Sequence, residues 1–375
     1  MARDAEPISP APAPTRRRSR LGLFLPYILL LLVAVLWSAG WLWARGFAQS
    51  RMDAWIAQEA AAGRSWTCAD RAIGGYPFRL ELRCSSLEFA RSDGRFTLGP
   101  VTAVVQVYDP RHGVVQAAGP FHAEQGDLVG DVTWTALEAS FHGASDGFVR
   151  ASLVIDGPKG RVTGAEPQPI DFSTKHLELH ARPTPARFAS EGAVDVSLRV
   201  AQAAIPRLDA LAGNPDPTDL ALDATIERAA DLRTGTVARE LEKWRQTDGS
   251  LDVALLSLAK GERRLQAKGE IGLDEAHRPA GQFDIRAAGV EALIGQAMGE
   301  KLGKDRGALI GNLVGQFLGG LQKRDAGRAN PSAGATGPGA GGDTPLKPLP
   351  QLRLAGGRLM LGPIPIPNVA LPALY

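Results

Sequence analysis

Hydrophobic and polar residues follow two different patterns along this chain. From Leu21 to Ala44 the sequence contains no charged residue, and Arg20 and Arg45 bracket this run. A helix of about 20 apolar residues spans the hydrocarbon layer of a bilayer, so the run predicts a transmembrane helix at 21–44. Farther along, short segments alternate apolar and polar residues between turn-forming residues, a pattern typical of antiparallel strands.

The flanks of the apolar run predict its orientation. Residues 1–20 contain five Arg and two acidic residues, and their composition is that of a disordered cytoplasmic tail. Trp37, Trp41 and Trp43 gather at the far end, as interfacial aromatic residues do. We therefore expect a single-pass anchor in the inner (cytoplasmic) membrane, with the N-terminus cytoplasmic and the bulk periplasmic. A cleaved signal peptide is the alternative, but its apolar core is usually only about 7–15 residues long.

The pattern divides the remaining chain into four segments. Residues 45–66 continue as a juxtamembrane helix, and residues 67–322 form a β-rich periplasmic domain that ends in a glycine-rich helix. Residues 323–350 are a disordered linker by composition, and residues 351–375 return to the sheet as C-terminal strands. Strands do not alternate with long helices, so we predict a mainly β fold: one transmembrane helix, then a large antiparallel, curved β-meander with a few helices.

The chain has 2 Cys, at Cys68 and Cys84, on either side of the turn Gly75-Tyr76-Pro77-Phe78. An exported domain permits oxidation, so the pair predicts a structural disulfide. Two free buried thiols are the alternative. The spacing is far from the Cys-x-x-Cys pattern of redox-active pairs.

Residues 289–322 combine apolar residues at helical spacing with glycine at every fourth position. The repeated glycines are Gly295, Gly299, Gly303, Gly307, Gly311, Gly315 and Gly319. On a helix they form a ridge, and each glycine costs up to about 1 kcal/mol relative to alanine. Such a helix needs a closely packed partner. The protein's own sheet, a membrane surface and an oligomer contact all remain open.

Charge and candidate chemistry exclude several function classes. The formal net charge of +2 argues against a nucleic-acid partner. Ser145 lies in a Gly-x-Ser-x-Gly pattern that lacks the strand-turn-helix context of a nucleophile. His176, Glu178 and His180 share one strand face, where a solvated surface explains them better than a metal site does. We expect no enzyme, no catalytic residues, no cofactor and no metal.

The stretch Trp66–Cys84 (WTCADRAIGGYPFRLELRC) resembles domain of unknown function 2125, a family of alphaproteobacterial envelope proteins. The likeness continues in residues 244–251, 268–274, 279–283 and 357–363. Some hairpins are also similar to AsmA-like proteins, which are membrane-anchored, periplasmic and implicated in lipid movement along a curved apolar sheet. These resemblances imply a role in cell-envelope maintenance and carry over no catalytic residues.

Three hypotheses for the function follow. In the first, the domain binds or conducts lipid in a groove on its apolar sheet face. The residues expected to line that groove are Leu251, Val253, Leu255, Ile271 and Leu273. In the second, the protein is a non-enzymatic scaffold that contacts other envelope proteins. The third, a hydrolase using Ser145, has the least support. The expected partners are the inner membrane and either phospholipid or envelope proteins.

Overall fold

The structure, a computed structural model, divides into two compact units, Met1–Met52 and Asp53–Tyr375. It describes residues 21–144, 147–164, 168–232, 235–289 and 345–375.

The first element is one long helix, α1 (Leu21–Ala61), of 41 residues. It is long and apolar enough to span a membrane, which is consistent with single-pass anchoring. The transmembrane and juxtamembrane helices that the sequence predicts are therefore continuous. The helix stops before residue 66, because Gly63 adopts a left-handed φ of 77° and its N–H donates to the carbonyl of Ala60.

The rest of the fold is mainly antiparallel β, in two open, curved sheets, which confirms the predicted fold class. A seven-stranded sheet, called the small sheet, comprises β1 (Ser65–Cys68), β4 (Leu87–Arg91), β5 (Gly94–Leu98), β8 (Phe121–Gln125), β9 (Leu128–Thr133), β12 (Lys159–Thr163) and β13 (Ile170–Ser173). The neighbouring strands of the small sheet follow that same order.

A 16-stranded sheet, called the large sheet, contains the other strands. Its first members are β2 (Ala72–Gly74), β3 (Arg79–Cys84), β6 (Val101–Gln106), β7 (Asp109–Ala117), β10 (Ala136–Ala144), β11 (Gly147–Asp156), β14 (His176–Pro183) and β15 (Val194–Ala203). It continues with β16 (Thr218–Ile226), β17 (Leu251–Lys260), β18 (Arg263–Leu273), β19 (Pro279–Ala288), β20 (Lys347–Pro348), β21 (Leu352–Ala355), β22 (Arg358–Leu361) and β23 (Ile364–Ala370). Since β20 pairs with β19, the chain rejoins the sheet inside the predicted linker, before residue 351.

Between β3 and β14 the chain passes repeatedly from one sheet to the other through short connections. Three of these crossings carry a glycine-proline pair: Gly99-Pro100, Gly119-Pro120 and Gly157-Pro158. Pairing continues through the crossing, since the Gly99 N–H donates to the carbonyl of Pro120 and the Ala118 N–H to that of Pro100. In this region the two sheets are therefore two arms of one meander. We call the boundary where the two arms meet the fold line.

Short helices lie in the connections between strands of the large sheet: α2 (Phe188–Glu191), α3 (Pro206–Ala212) and α4 (Val237–Gln246), with a 3-10 turn at Ala229–Asp231. Helix α3 is attached to β17 through the buried Lys260, whose ammonium pairs with the Asp209 carboxylate at 2.5 Å. The Trp244 indole N–H on α4 donates to the carbonyl of Glu227 at 2.7 Å.

Buried apolar residues concentrate on one face of the large sheet. They include Cys84, Val101, Ala117, Ala224, Val253, Ala267, Ile285 and Ala287. Among the described residues, no large side chain is less than 2% exposed. The core is therefore thin, and much of this apolar face keeps accessible surface.

Candidate functional site

The register of the large sheet aligns apolar residues from strand to strand. One row contains Leu82, Ala103, Val115, Ala139, Leu153, Leu179, Leu198, Leu222, Leu256, Ala267 and Ile285. The neighbouring row, which includes Ser152, His180, Ser197 and Asp223, is polar. Because successive side chains of a strand point to opposite faces, the sheet has one apolar and one polar face.

A groove of about 360 Å³ opens on the apolar face, across β7, β10, β11 and β14. Its lining is chiefly apolar: Val115, Ala139, Phe141, Ala151, Leu153, Leu179 and Ala181. Phe141 and Leu179 expose 52% and 38% of their surface. Covering such surface is favourable by about 25 cal/mol per Å², so the groove suits an apolar occupant.

The groove is open beside Phe141 because Gly113 has no side chain. Gly113 is the cross-strand partner of Phe141, so the site opposite the ring has no side chain. A Cβ at Gly113 would meet only the Val105 Cγ2 atom, at an ordinary 3.7 Å. A larger residue at position 113 would therefore fill the groove without a backbone clash.

The residues that the sequence predicts for the groove divide between the two faces. Leu251 pairs with Ile271 on the apolar face, and Val253 on that face is buried. A bulge at Ala254 shifts the register, so that Leu255 pairs with Asp223. Leu255 therefore lies on the polar face, where it lines a cleft with Gln266, Lys268, Asp284 and Arg286. The prediction for Leu255 is wrong, because simple alternation does not anticipate a bulge.

Leu273 continues the apolar face beyond Ile271 at the end of β18. It is the cross-strand partner of Pro279, which begins β19. Of the five predicted lining residues, the groove on β7, β10, β11 and β14 contains none. The exposed part of the apolar face lies earlier in the chain than the sequence indicated.

The small sheet carries a row of aromatic side chains that sequence reasoning missed. Trp66 contacts Trp55 and Phe89, with ring centroids 5.5 and 4.6 Å apart. Phe96 follows Phe89 at 5.2 Å, and Phe121 follows Phe96 at 5.6 Å. These residues come from the end of α1 and from four strands, so only the register reveals the row.

The disulfide is confirmed. Cys68 of the small sheet is bonded to Cys84 of the large sheet, with Cα atoms 5.2 Å apart. Within each sheet the cysteine lies on the apolar face, beside Trp66 in one and Leu82 in the other. The two apolar faces therefore turn toward each other where the bond joins them.

The turn at Gly75-Tyr76-Pro77-Phe78 connects β2 to β3. Gly75 has a φ of 98°, and a Cβ there would lie 2.7 Å from the carbonyl oxygen of Arg79. Only glycine fits this position. The turn therefore holds its two aromatic residues in a fixed place at the end of the large sheet.

The polar face places His176 between two carboxylates. Its Nδ1 lies 2.6 Å from Asp156 and its Nε2 lies 2.7 Å from Glu178. Hydrogen bonds to Glu178 and Asp156 raise the pKa of His176, and those with His176 and His180 lower the pKa of Glu178. Within the described ranges, no group of three or more His, Cys, Asp or Glu residues is arranged to hold a metal ion.

Four sequence predictions lie wholly or largely outside the described residues: the tail at 1–20, Ser145, the glycine ridge and the linker at 323–350 as far as residue 344. Ser145 falls in the gap between residues 144 and 147, and the glycine ridge from Gly295 to Gly319 falls between residues 289 and 345.

Comparison with known proteins identifies a family. A family model described as "Uncharacterized protein conserved in bacteria (DUF2125)" matches residues 41–370. The predicted similarity to AsmA-like proteins is not shown. Neither a curated protein nor a solved structure matches the chain.

Proposed function

The chain belongs to the DUF2125 family, and we propose that it holds phospholipid acyl chains in the groove on its large sheet. In this proposal α1 anchors the protein in the inner membrane with its N-terminus in the cytoplasm. The sheets then lie in the periplasm, where the protein serves cell-envelope maintenance without catalysis.

The observation that carries the proposal is the exposed apolar groove on β7, β10, β11 and β14. Phe141 and Leu179 leave substantial apolar surface accessible there. The backbone N–H and C=O groups of these central strands are already paired with neighbouring strands. An occupant therefore gains apolar contact and few hydrogen bonds, which suits an acyl chain better than a peptide.

The apolar helix and the disulfide support the same occupant. A helix long enough to span a bilayer belongs to the same chain, so the sheets stay close to a large store of acyl chains. The disulfide between Cys68 and Cys84 agrees with an oxidising compartment such as the periplasm.

A phospholipid with a photoreactive diazirine on its acyl chain tests the proposal. The full chain, held in vesicles containing this lipid, is illuminated and digested, and the crosslinked peptides are mapped. We expect crosslinks in 136–144 and in 176–183, which contain Phe141 and Leu179. Gly113→Leu should reduce them severalfold by filling the groove, because its Cβ has room to enter.

Gly74→Leu is the matched control. Gly74 is also a strand glycine with open space around its Cβ position, but it pairs with Glu81 on the polar face. This variant should leave the groove crosslinks unchanged. Crosslinks confined to α1 in the unmodified chain would contradict the proposal and favour the alternative, a non-enzymatic envelope scaffold that contacts other proteins.

A further inference from the structure

Two turns lie side by side at one end of the large sheet. The first connects β2 to β3 through Tyr76 and Phe78, and the second connects β6 to β7 through Tyr108. They are neighbours because β3 pairs with β6, and the Val107 N–H donates to the carbonyl of Phe78 at 2.9 Å. We call Tyr76, Phe78 and Tyr108 the aromatic end.

The aromatic end is unusually exposed. Tyr76, Phe78 and Tyr108 expose 55%, 61% and 68% of their surface, although aromatic side chains gain much from burial. The turn geometry at Gly75 and the hydrogen bond between the turns fix their backbone positions. Three exposed aromatic residues thus lie on two neighbouring turns at this end of the sheet.

The charged residues near the aromatic end bear on which kind of partner fits it. The buried Glu81 pairs with both Arg79 and Arg83, so it partly offsets the basic charge on β3. Arg111 on β7 is exposed, and Asp109 lies on the same strand. Because positive charge is largely balanced, a contact here depends on the aromatic rings and does not require an anionic surface.

We infer that the aromatic end inserts into the headgroup region of a phospholipid membrane. Tyrosine and other aromatic side chains favour this interface, because a ring has an apolar body and the tyrosine hydroxyl can stay in contact with water. The inference rests on the proposed anchoring by α1, which raises the effective concentration of the membrane surface for a tethered domain. It does not depend on lipid in the groove.

The experiment uses the full chain in phosphatidylcholine vesicles. Since Cys68 and Cys84 are bonded to each other, Tyr108→Cys supplies the single thiol for a nitroxide spin label. Leu128→Cys is the matched control, because Leu128 is also an exposed apolar residue at the end of a hairpin, but in the small sheet. Electron paramagnetic resonance then compares the accessibility of each label to oxygen, which concentrates in lipid, and to a water-soluble nickel complex.

We expect the label at position 108 to favour oxygen severalfold more than the label at position 128. Replacing the neighbouring rings in a Tyr76→Ser/Phe78→Ser variant should move the label at 108 toward the nickel-accessible range. Equal nickel accessibility at 108 and 128 would overturn the inference. A label at 108 shielded from both reagents would also overturn it, because this result indicates contact with protein.

The groove variant separates this inference from the proposed function. Gly113→Leu should leave the oxygen preference at position 108 unchanged, since Gly113 lies within β7 and away from the turn. In the unmodified chain, crosslinks confined to α1 together with an immersed label at 108 would contradict the groove alone. Groove crosslinks together with a label at 108 that is as accessible to nickel as the label at 128 would contradict the membrane insertion of the aromatic end alone.

Discussion

Cys68 on β1 and Cys84 on β3 are bonded across the fold line, and each lies on the apolar face of its own sheet. The bond therefore joins β1, the first strand of the small sheet, to β3, the second strand of the large sheet, so that their apolar faces meet. Nearby, the Trp134 indole N–H crosses the same line and donates to the carbonyl of Ala117 at 2.8 Å. Covalent and hydrogen bonds thus hold the two arms together.

Removing the disulfide should destabilise this part of the fold. The bond closes a loop with a sequence separation of 16, for which loop-closure entropy predicts about 3 kcal/mol. A Cys68→Ser/Cys84→Ser variant should lose about this much free energy of unfolding in a denaturant titration. The reduced wild-type chain provides the control and should behave like the double variant. An unchanged unfolding midpoint in both would contradict this prediction.

The bulge at Ala254 places Val253 and Leu255 on opposite faces of the sheet, so a charge should destabilise the fold much more at one position than at the other. Val253 is buried on the apolar face, so Val253→Glu should lower the free energy of unfolding by about 3 kcal/mol by burying a charge. Leu255 lies on the polar face near Lys268 and Arg286, so Leu255→Glu should change it by no more than about 0.5 kcal/mol. Denaturant titration of both variants measures the difference. Equal destabilisation would mean that the strand alternates without a bulge.

The buried pair of Lys260 and Asp209 should be costly to break. Besides the Asp209 carboxylate, the Lys260 ammonium contacts the carbonyl of Asp216. Lys260→Met leaves Asp209 without its cation and should cost about 3 kcal/mol of unfolding free energy. A Lys260→Met/Asp209→Leu variant removes both charges and should recover most of this loss.

A solvent-exposed ion pair serves as the control for the buried pair of Lys260 and Asp209. Arg161 and Asp171 pair at 2.7 Å on the small sheet, but both side chains are largely exposed to water. Arg161→Met should leave the unfolding midpoint nearly unchanged, because solvent screens the pair. A larger loss there than at Lys260 would contradict the role that we assign to burial.

Stability should fall as the pH rises through the titration of His176. Hydrogen bonds that the protonated ring donates to Glu178 and Asp156 raise the pKa of His176 above its ordinary value of 6.5. The folded chain therefore binds this proton more tightly than the unfolded chain does. The resulting stabilisation is complete below about pH 6.5 and is lost as the pH passes the raised pKa.

His176→Asn should flatten the dependence of the free energy of unfolding on pH. Unfolding measurements between about pH 6 and about pH 8 will detect this change. Part of the slope should remain, because hydrogen bonds to Asp131 and Glu124 also raise the pKa of His122. A His176→Asn/His122→Asn variant should remove that part as well. A slope equal to that of the wild type in this variant would contradict the assignment.

Much of the architecture follows from local sequence. The uncharged run at 21–44 predicts an apolar helix, and alternation predicts antiparallel strands, because both patterns express the periodicity of a single element. The two cysteines also sufficed to predict their bond. The end of α1 was less accurate: the left-handed conformation at Gly63 stops the helix several residues before position 66.

Tertiary structure alone decided which residues meet. Phe89, Phe96 and Phe121 form a row only through strand pairing, and Phe141 and Leu179 come together only across β10, β11 and β14. A bulge of one residue moved Leu255 to the other face. The sequence by itself determined the long apolar helix, the strand-rich class and the disulfide, which depend on short-range pattern and composition. The groove depends on register, which long-range pairing between strands sets and no local pattern encodes.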